Sequence, residues 1–84
     1  MTQQKLSIND YYSTSDLALA TAISLYYPLE VMDRTNPHKA YFIFKRDKKL
    51  DQFIEAYWKD DLKVSPLVYF SQLKLIKARL YEER

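Results

Sequence analysis

Two lysines and two aromatic residues lie at helical spacing near the end of the sequence. Phe70, Lys74, Lys77 and Tyr81 fall at positions i, i+4, i+7 and i+11, which places them on one flank of a helix. Lysine ammonium groups contact nucleic-acid phosphates, and aromatic rings stack on bases. The alternative is an ordinary amphipathic helix, in which the lysines stay solvated and both rings belong to the core. The spacing therefore indicates either a nucleic-acid contact or a plain solvated flank.

Positive charge is concentrated in the second part of the chain. Residues 1–36 carry two basic and four acidic side chains, a balance of −2, whereas residues 37–84 carry 11 basic and seven acidic ones, a balance of +4. No acidic side chain occurs within residues 62–81. The net charge of +2 is low for nucleic-acid binding, so any such binding should be modest and salt-sensitive. The predicted phosphate contacts are a first cluster of Lys39, Lys45, Arg46, Lys48 and Lys49 and a second of Lys74 and Lys77.

Eight tyrosines are more than the core of an 84-residue chain needs. Tyr26, Tyr57 and Tyr69 fall on apolar helical stripes and are predicted to be core residues. Tyrosine is enriched at protein interfaces, where its ring is buried and its hydroxyl finds a partner. A protein-interaction adaptor or small homo-oligomer is therefore the competing hypothesis, with a contact surface of Tyr11, Tyr12, Tyr27, Tyr41 and Tyr81.

The residue types on which most catalytic and metal sites depend are missing. Without glycine there is no phosphate-binding loop, dinucleotide fingerprint or nucleophile elbow, and turns are expected to avoid positive φ. Without cysteine there is no zinc finger, disulfide or thiol nucleophile. His38 is the only histidine and is predicted to be exposed in a loop. The carboxylates that could form a divalent-metal site are Asp47, Asp51, Glu55, Asp60 and Asp61, but Asp51 and Glu55 fall on the solvent side of a predicted helix. We therefore expect a non-enzymatic binding module with no cofactor, metal site or small-molecule substrate.

The length of the chain suits one domain with one core, which buries roughly 60 to 65% of the unfolded surface. Residues 1–10 are predicted to be a flexible leader or a short edge strand, because Leu6 and Ile8 alternate with polar residues, and residues 11–84 to be a single domain. The first residues lack a secretory signal, and polar residues and a proline interrupt the apolar stretch 17–32. We therefore expect a cytoplasmic protein without membrane contact.

Helix-start signals place the first helix early in the domain. Ser13 and Asp16 form a capping-box pattern, which predicts a helix from about Thr14 to Tyr26. Its residues are apolar nearly all round, as in a central and largely covered helix. Pro28 should end it.

A second helix should start at Asp47, a good N-cap residue. Asp60 and Asp61 are unfavourable near the negative end of a helix and are predicted to follow its last turn. Trp58 closes the apolar stripe and is predicted to be core. The stripe consists of Leu50, Phe53, Ile54, Tyr57 and Trp58.

Ser65 followed by Pro66 is an N-cap with proline at the first helical position, which predicts a third helix to about Tyr81. Its predicted core stripe consists of Tyr69, Leu73, Ile76 and Leu80.

Between the first two helices, the pattern changes to that of strands. Residues 29–33 alternate apolar and polar types, residues 40–45 are rich in aromatic residues, and the intervening 34–39 are typical of a turn. Phe42 and Phe44 are predicted to face the core of an antiparallel hairpin. The sequence thus predicts an α+β fold of order (β)-α-β-β-α-α, with three helices packed on a hairpin or three-stranded sheet.

Short aromatic motifs spread over the chain resemble a known family. They are Tyr-Tyr-Ser-Thr-Ser-Asp-Leu at residues 11–17, Asp-Arg-x-Asn-Pro-x-Lys-Ala-x-Phe-Ile-Phe at 33–44, Tyr57-Trp58, Tyr69-Phe70 and Leu80-Tyr81. Over roughly residues 11–81 they resemble the small family of bacterial, phage and mobile-element proteins catalogued as domain of unknown function 5659. The resemblance implies a compact stand-alone domain of prokaryotic or viral origin. Because the family has no established activity, it implies no catalytic residues.

Overall fold

A computed structural model describes residues 10–82 and shows the element order β-α-β-β-α-α. The predicted α+β class, with three helices and a three-stranded antiparallel sheet, is confirmed. The strand considered at Leu6 and Ile8 lies outside the described residues. The strands are β1 (Tyr11–Thr14), β2 (Leu29–Asp33) and β3 (Tyr41–Lys45), and the helices are α1 (Leu17–Ser24), α2 (Lys48–Trp58) and α3 (Pro66–Leu80).

The segment around Ser13 is a strand rather than a helix start. Ser13 lies opposite Ile43 in the β1–β3 pair, so it cannot cap α1. Asp16 is the N-cap instead, and its carboxylate accepts a hydrogen bond from the backbone N–H of Leu19 at 3.2 Å. The predicted helix start at Thr14 was therefore wrong, because pairing with β3 leaves Asp16 as the first free capping side chain.

β3 is the central strand, with β1 and β2 antiparallel on either side of it. Phe42 and Phe44 are buried as predicted. A register shift between Leu29 and Val31 pairs these two residues with Phe44 and Ile43, which point to opposite faces. Strict alternation in β2 would have put Leu29 and Val31 on one face. The bulge instead turns Leu29 toward the core and leaves Val31 exposed.

The core forms where α1 covers the inner face of the sheet. Leu19 and Ile23 of α1 are fully buried and belong to one cluster with both phenylalanines of β3. α2 and α3 each pack against α1 and supply one fully or nearly fully buried residue, Leu50 and Ile76. The prediction of a central, covered first helix is confirmed.

α2 begins as predicted, but its end differs. The Asp47 carboxylate accepts a hydrogen bond from the N–H of Leu50 at 2.8 Å. Trp58 is 63% exposed, so the prediction that it is core was wrong. It is the last helical residue and packs edge-on against Tyr57, with ring centroids 5.0 Å apart. Tyr26 is also 63% exposed because α1 ends at Ser24, and its neighbour Tyr27 packs on the core instead.

α3 starts at the predicted cap and is tied to α1 by side chains. The Ser65 hydroxyl accepts a hydrogen bond from Val68 N–H at 3.4 Å, and the helix ends one residue before Tyr81. The Tyr69 hydroxyl donates to the Ala18 carbonyl at 3.0 Å. None of the helices in the described part of the chain is long and apolar enough to span a membrane.

α2 ends in a Schellman motif with an aspartate at the left-handed position. Asp60 has a φ of 62°, its N–H donates to the Tyr57 carbonyl at 3.0 Å, and the N–H of Asp61 donates to the Ala56 carbonyl at 2.9 Å. Glycine is the usual residue here because it has no Cβ to clash. The expectation that turns avoid positive φ was therefore wrong at Asp60.

A glycine at this position should stabilise the protein. We expect Asp60→Gly to raise the free energy of unfolding by about 1 kcal/mol, since it relieves the left-handed strain and removes a negative charge from the helix C-terminus. Asp60→Asn, which removes only the charge, should give about half that gain. Urea unfolding monitored by circular dichroism measures both, and a loss of stability in Asp60→Gly would contradict the assignment.

The hairpin loop is held against the end of α3 by Arg34. Its Nη1 donates to the backbone carbonyls of Leu80 at 2.9 Å, Arg79 at 3.2 Å and Glu82 at 3.3 Å. These carbonyls lie at the helix C-terminus, where backbone acceptors lack intrahelical partners and a cation is favourable. The contact connects residues more than 40 positions apart, which no local pattern in the sequence indicates.

Removal of this cap should destabilise the fold. We expect Arg34→Met to lower the free energy of unfolding by about 1 kcal/mol, because the last carbonyls of α3 lose a charged donor. Lys39→Met is the matched control: it removes a cation from the same loop, where Lys39 has no ion pair among residues 10–82. Equal losses in the two variants would show that general charge, not the Arg34 contact, matters.

Candidate nucleic-acid interface

The α3 flank, defined as Phe70, Lys74, Lys77 and Tyr81, is exposed along its whole length. Phe70 is 57% exposed and Tyr81 71% exposed. The alternative that both rings belong to the core is therefore wrong. The inner side of α3 is formed instead by Ile76, with Tyr69, Leu73 and Leu80 half-buried around it, as the periodicity predicted.

The geometry of α3 fixes the spacing of this flank. Eleven residues at 1.5 Å each place Phe70 and Tyr81 about 16 Å apart along the helix axis, with the two lysines between them. Leu67 lies one turn before Phe70, is exposed and extends the same side. Sequence reasoning missed Leu67 because an apolar residue at a helix start is normally assigned to the core.

Lys74 and Lys77 form no ion pair with another residue of the described range 10–82. The ion pairs among residues 10–82 join Arg46 to Asp51 and Lys59 to Glu55, and neither involves the flank. α3 itself contains no acidic residue. Lys74 and Lys77 are thus exposed cations beside exposed aromatic rings, which suits contact with an anionic polymer that also carries flat, stackable groups.

The hairpin loop meets the far end of the flank. An open pocket of about 490 Å³ is lined by loop residues, among them His38 and Lys39, and by Leu80 and Tyr81 at the end of α3. The Arg34 contacts hold this arrangement in place. Lys39 therefore belongs to the Tyr81 end of the α3 flank, and it adds a third cation there.

The first predicted basic cluster is divided by the sheet. Lys39 precedes β3 and Lys45 ends it, so five residues lie between them and six extended steps separate the two by up to about 20 Å. The grouping of Lys39 with Lys45, Arg46, Lys48 and Lys49 was therefore wrong. The remaining four lie at the opposite end of β3 and in the first turn of α2.

Within this remaining group, Arg46 is already engaged. Its Nε and Nη2 donate to the two carboxylate oxygens of Asp51 at 2.9 and 3.3 Å, and this contact raises the pKa of Arg46. Lys48 and Lys49 are exposed near the positive end of the α2 dipole. The group is therefore a weaker phosphate surface than its four positive charges indicate.

The five tyrosines predicted for protein interaction do not form one surface. Tyr12 and Tyr27 pack against the hydrophobic core, and burial, with a smaller contribution from Asp47, raises the pKa of Tyr27. The prediction that these two side chains form a contact surface was wrong. Tyr12 turns inward because it pairs with Phe44, and Tyr27 is directed inward by the turn after α1. Tyr81 belongs to the α3 flank. Tyr11 and Tyr41 remain, both on the outer face of the sheet.

This outer face lacks a helix layer in the described structure. Tyr11 pairs with Lys45 and Val31 with Ile43, which places these side chains and Tyr41 on the side opposite Phe42 and Phe44. None of the outer residues belongs to the core cluster that the helices cover. The helices of the described structure therefore cover one face of the sheet, the face that carries Phe42 and Phe44.

The candidate catalytic and metal-binding side chains have structural roles or stay apart. Asp47 caps α2, Asp51 binds Arg46, and Glu55 pairs with Lys59 at 3.3 Å. His38 is exposed in the hairpin loop. Within residues 10–82, no group of three or more histidine or carboxylate side chains is placed to hold a metal ion.

Comparison with known proteins gives one match. The family described as Domain of unknown function (DUF5659) matches residues 9–82, nearly the whole chain. Searches of the curated proteins and of the solved structures found no match. The aromatic motifs from Tyr11 to Tyr81 thus indicated the correct family, and the chain belongs to the DUF5659 family.

Proposed function

We propose that this protein is a non-enzymatic nucleic-acid-binding module whose contact surface is the α3 flank together with Lys39. The observation that carries the proposal is the exposure of Phe70 and Tyr81 on the same flank as two lysines. A single exposed aromatic side chain needs no explanation. Two rings and three cations on one surface, with no acidic residue in the helix, support a specific use.

Single-stranded nucleic acid fits this surface better than a duplex. Aromatic side chains stack on the faces of bases, which are accessible in single strands and covered in a duplex. The lysines would contact phosphates between the two stacking positions, and the 16 Å between Phe70 and Tyr81 would let each ring engage a different base. Contacts to phosphates and to the faces of bases carry no sequence information, so we expect binding that is independent of sequence.

A protein-interaction role is the second candidate. It is favoured by the outer sheet face, where Tyr11, Tyr41, Ile43 and Val31 lie outside the core cluster. Half-buried aromatic and aliphatic residues on an uncovered sheet suit contact with a protein partner or a second copy. Light scattering of Ile43→Ser and the parent protein over a range of concentrations tests it: a monomer in both would remove the homo-oligomer.

The nucleic-acid role predicts two separable effects on binding. In fluorescence anisotropy with labelled single-stranded DNA and RNA, Lys74→Gln combined with Lys77→Gln should weaken binding and reduce the slope of log K against log salt by about 1.4, because two phosphate contacts are lost. Phe70→Leu and Tyr81→Leu should each weaken binding by about 1 to 3 kcal/mol while the slope stays unchanged, because stacking releases no counterions.

The matched control is Lys48→Gln combined with Lys49→Gln. It removes the same charge from the first turn of α2, remote from α3. If binding depends on the α3 flank, this control keeps most of the affinity and the slope. Equal losses in the two double variants would reduce the interaction to general electrostatics. Absence of binding at low salt would overturn the proposal.

A further inference from the structure

A pocket on the other side of α3 has the chemistry of a cation site. Its volume is about 400 Å³, within the range of small-molecule sites. The pocket is open to solvent; α1 provides one wall, α2 and α3 contribute a tyrosine each, and the connection between α2 and α3 forms the rest of the lining. The lining residues are Ala22, Tyr57, Asp60, Leu62, Val64 and Tyr69.

Small residues on α1 leave the space between the two tyrosines. Ala22 is buried at the wall of the pocket, and Ala18 lies one turn before it. The Tyr69 ring is held in place because its hydroxyl donates to the Ala18 carbonyl at 3.0 Å. Tyr57 packs edge-on against Trp58 at 5.0 Å. Both rings are therefore positioned by contacts of the fold before any ligand arrives.

Two carboxylates, Asp60 and Asp16, lie at or near this pocket. Asp60 is part of its lining. Burial raises the pKa of both Tyr57 and Tyr69, and the nearby Asp16 carboxylate raises it further, while contact with Thr21 partly opposes the change at Tyr69. No lysine or arginine lines the pocket, and the neighbouring Lys59 pairs with Glu55.

The carboxylate of Asp60 has no structural role that explains it. It occupies a left-handed position that favours glycine or asparagine, at the negative end of α2. Among residues 10–82, no ion pair or side-chain hydrogen bond engages it. The left-handed backbone is needed to end α2, but a carboxylate at this position is not, which is a reason to look for a function of the side chain.

We propose that this pocket binds a small organic cation, with its ammonium group between the rings of Tyr57 and Tyr69 and the carboxylate of Asp60. The faces of tyrosine rings attract cations, most strongly when water is excluded. Asp60 supplies the complementary charge, and Leu62 and Val64 accept the alkyl part of the ligand. This site is independent of nucleic-acid binding, because its negative charge would repel phosphate.

Choline and its uncharged isostere 3,3-dimethylbutan-1-ol test the proposal directly. The two have nearly the same shape, so the difference in affinity reports the charge. In titrations followed by 1H-15N NMR, choline should bind about tenfold more tightly or better, the free-energy scale of a cation–π contact with a nearby carboxylate. The amide signals of Ala22 and Tyr69 should shift. A peptide with trimethyl-lysine, tested alongside, distinguishes a partner's side chain from a free small molecule as the source of the ammonium.

Asp60→Asn and Asp61→Asn form the matched pair of variants. Each removes one carboxylate, but only Asp60 lines the pocket. Asparagine tolerates the left-handed conformation, so both variants should fold. Choline affinity should fall about tenfold in Asp60→Asn and stay near the parent value in Asp61→Asn. Equal binding of choline and its isostere, equal effects of the two variants, or no binding at millimolar choline would overturn the proposal, whatever the outcome for nucleic acid.

Discussion

The packing of α1 against Phe42 and Phe44 is the contact on which the rest of the structure depends. Leu19 and Ile23 of α1 are fully buried in one cluster with these rings, and α2 and α3 each pack against α1. Because α1 is short and covered nearly all round, it fixes which side of each outer helix turns inward. Tyr69 and Ile76 lie on the inward side of α3, so the α3 flank faces solvent.

Local signals in the sequence predicted most of the elements, and long-range contacts decided the exceptions. Asp47 and the pair Ser65-Pro66 start their helices as predicted, since a cap acts within its own turn. Ser13 failed as a cap because a strand 30 residues away pairs with it. Lys39 was grouped with the wrong cations because Lys39 and Lys45 are close in sequence but lie at opposite ends of the extended strand β3. The pocket lined by Tyr57 and Tyr69 could not be predicted from the sequence, because its residues come from three helices and the α2–α3 connection.

A chain without glycine must end its helices by other means, and both solutions seen here lie at candidate sites. α2 ends on Asp60 in a left-handed conformation, and α3 ends under the guanidinium of Arg34. Glycine in place of Asp60 would remove a carboxylate from the pocket lined by Tyr57 and Tyr69. A shorter residue in place of Arg34 would release the hairpin loop from the end of α3 beside Tyr81. The helix ends therefore also determine the charge and shape of the surfaces beside them.

Local charge, rather than the net charge of +2, determines what these surfaces can bind. Tyr69 and Phe70 are adjacent in sequence, yet a rotation of 100° per residue places them on different sides of α3. One side carries lysines without acidic neighbours in the helix, and the other borders Asp16 and Asp60. A helix with its side chains is about 10 Å across, and the Debye length is about 8 Å at physiological ionic strength. The lysines on one side and the carboxylates beside the other are therefore largely screened from each other. One helix can thus present a surface for an anionic polymer and one wall of a pocket for a cation.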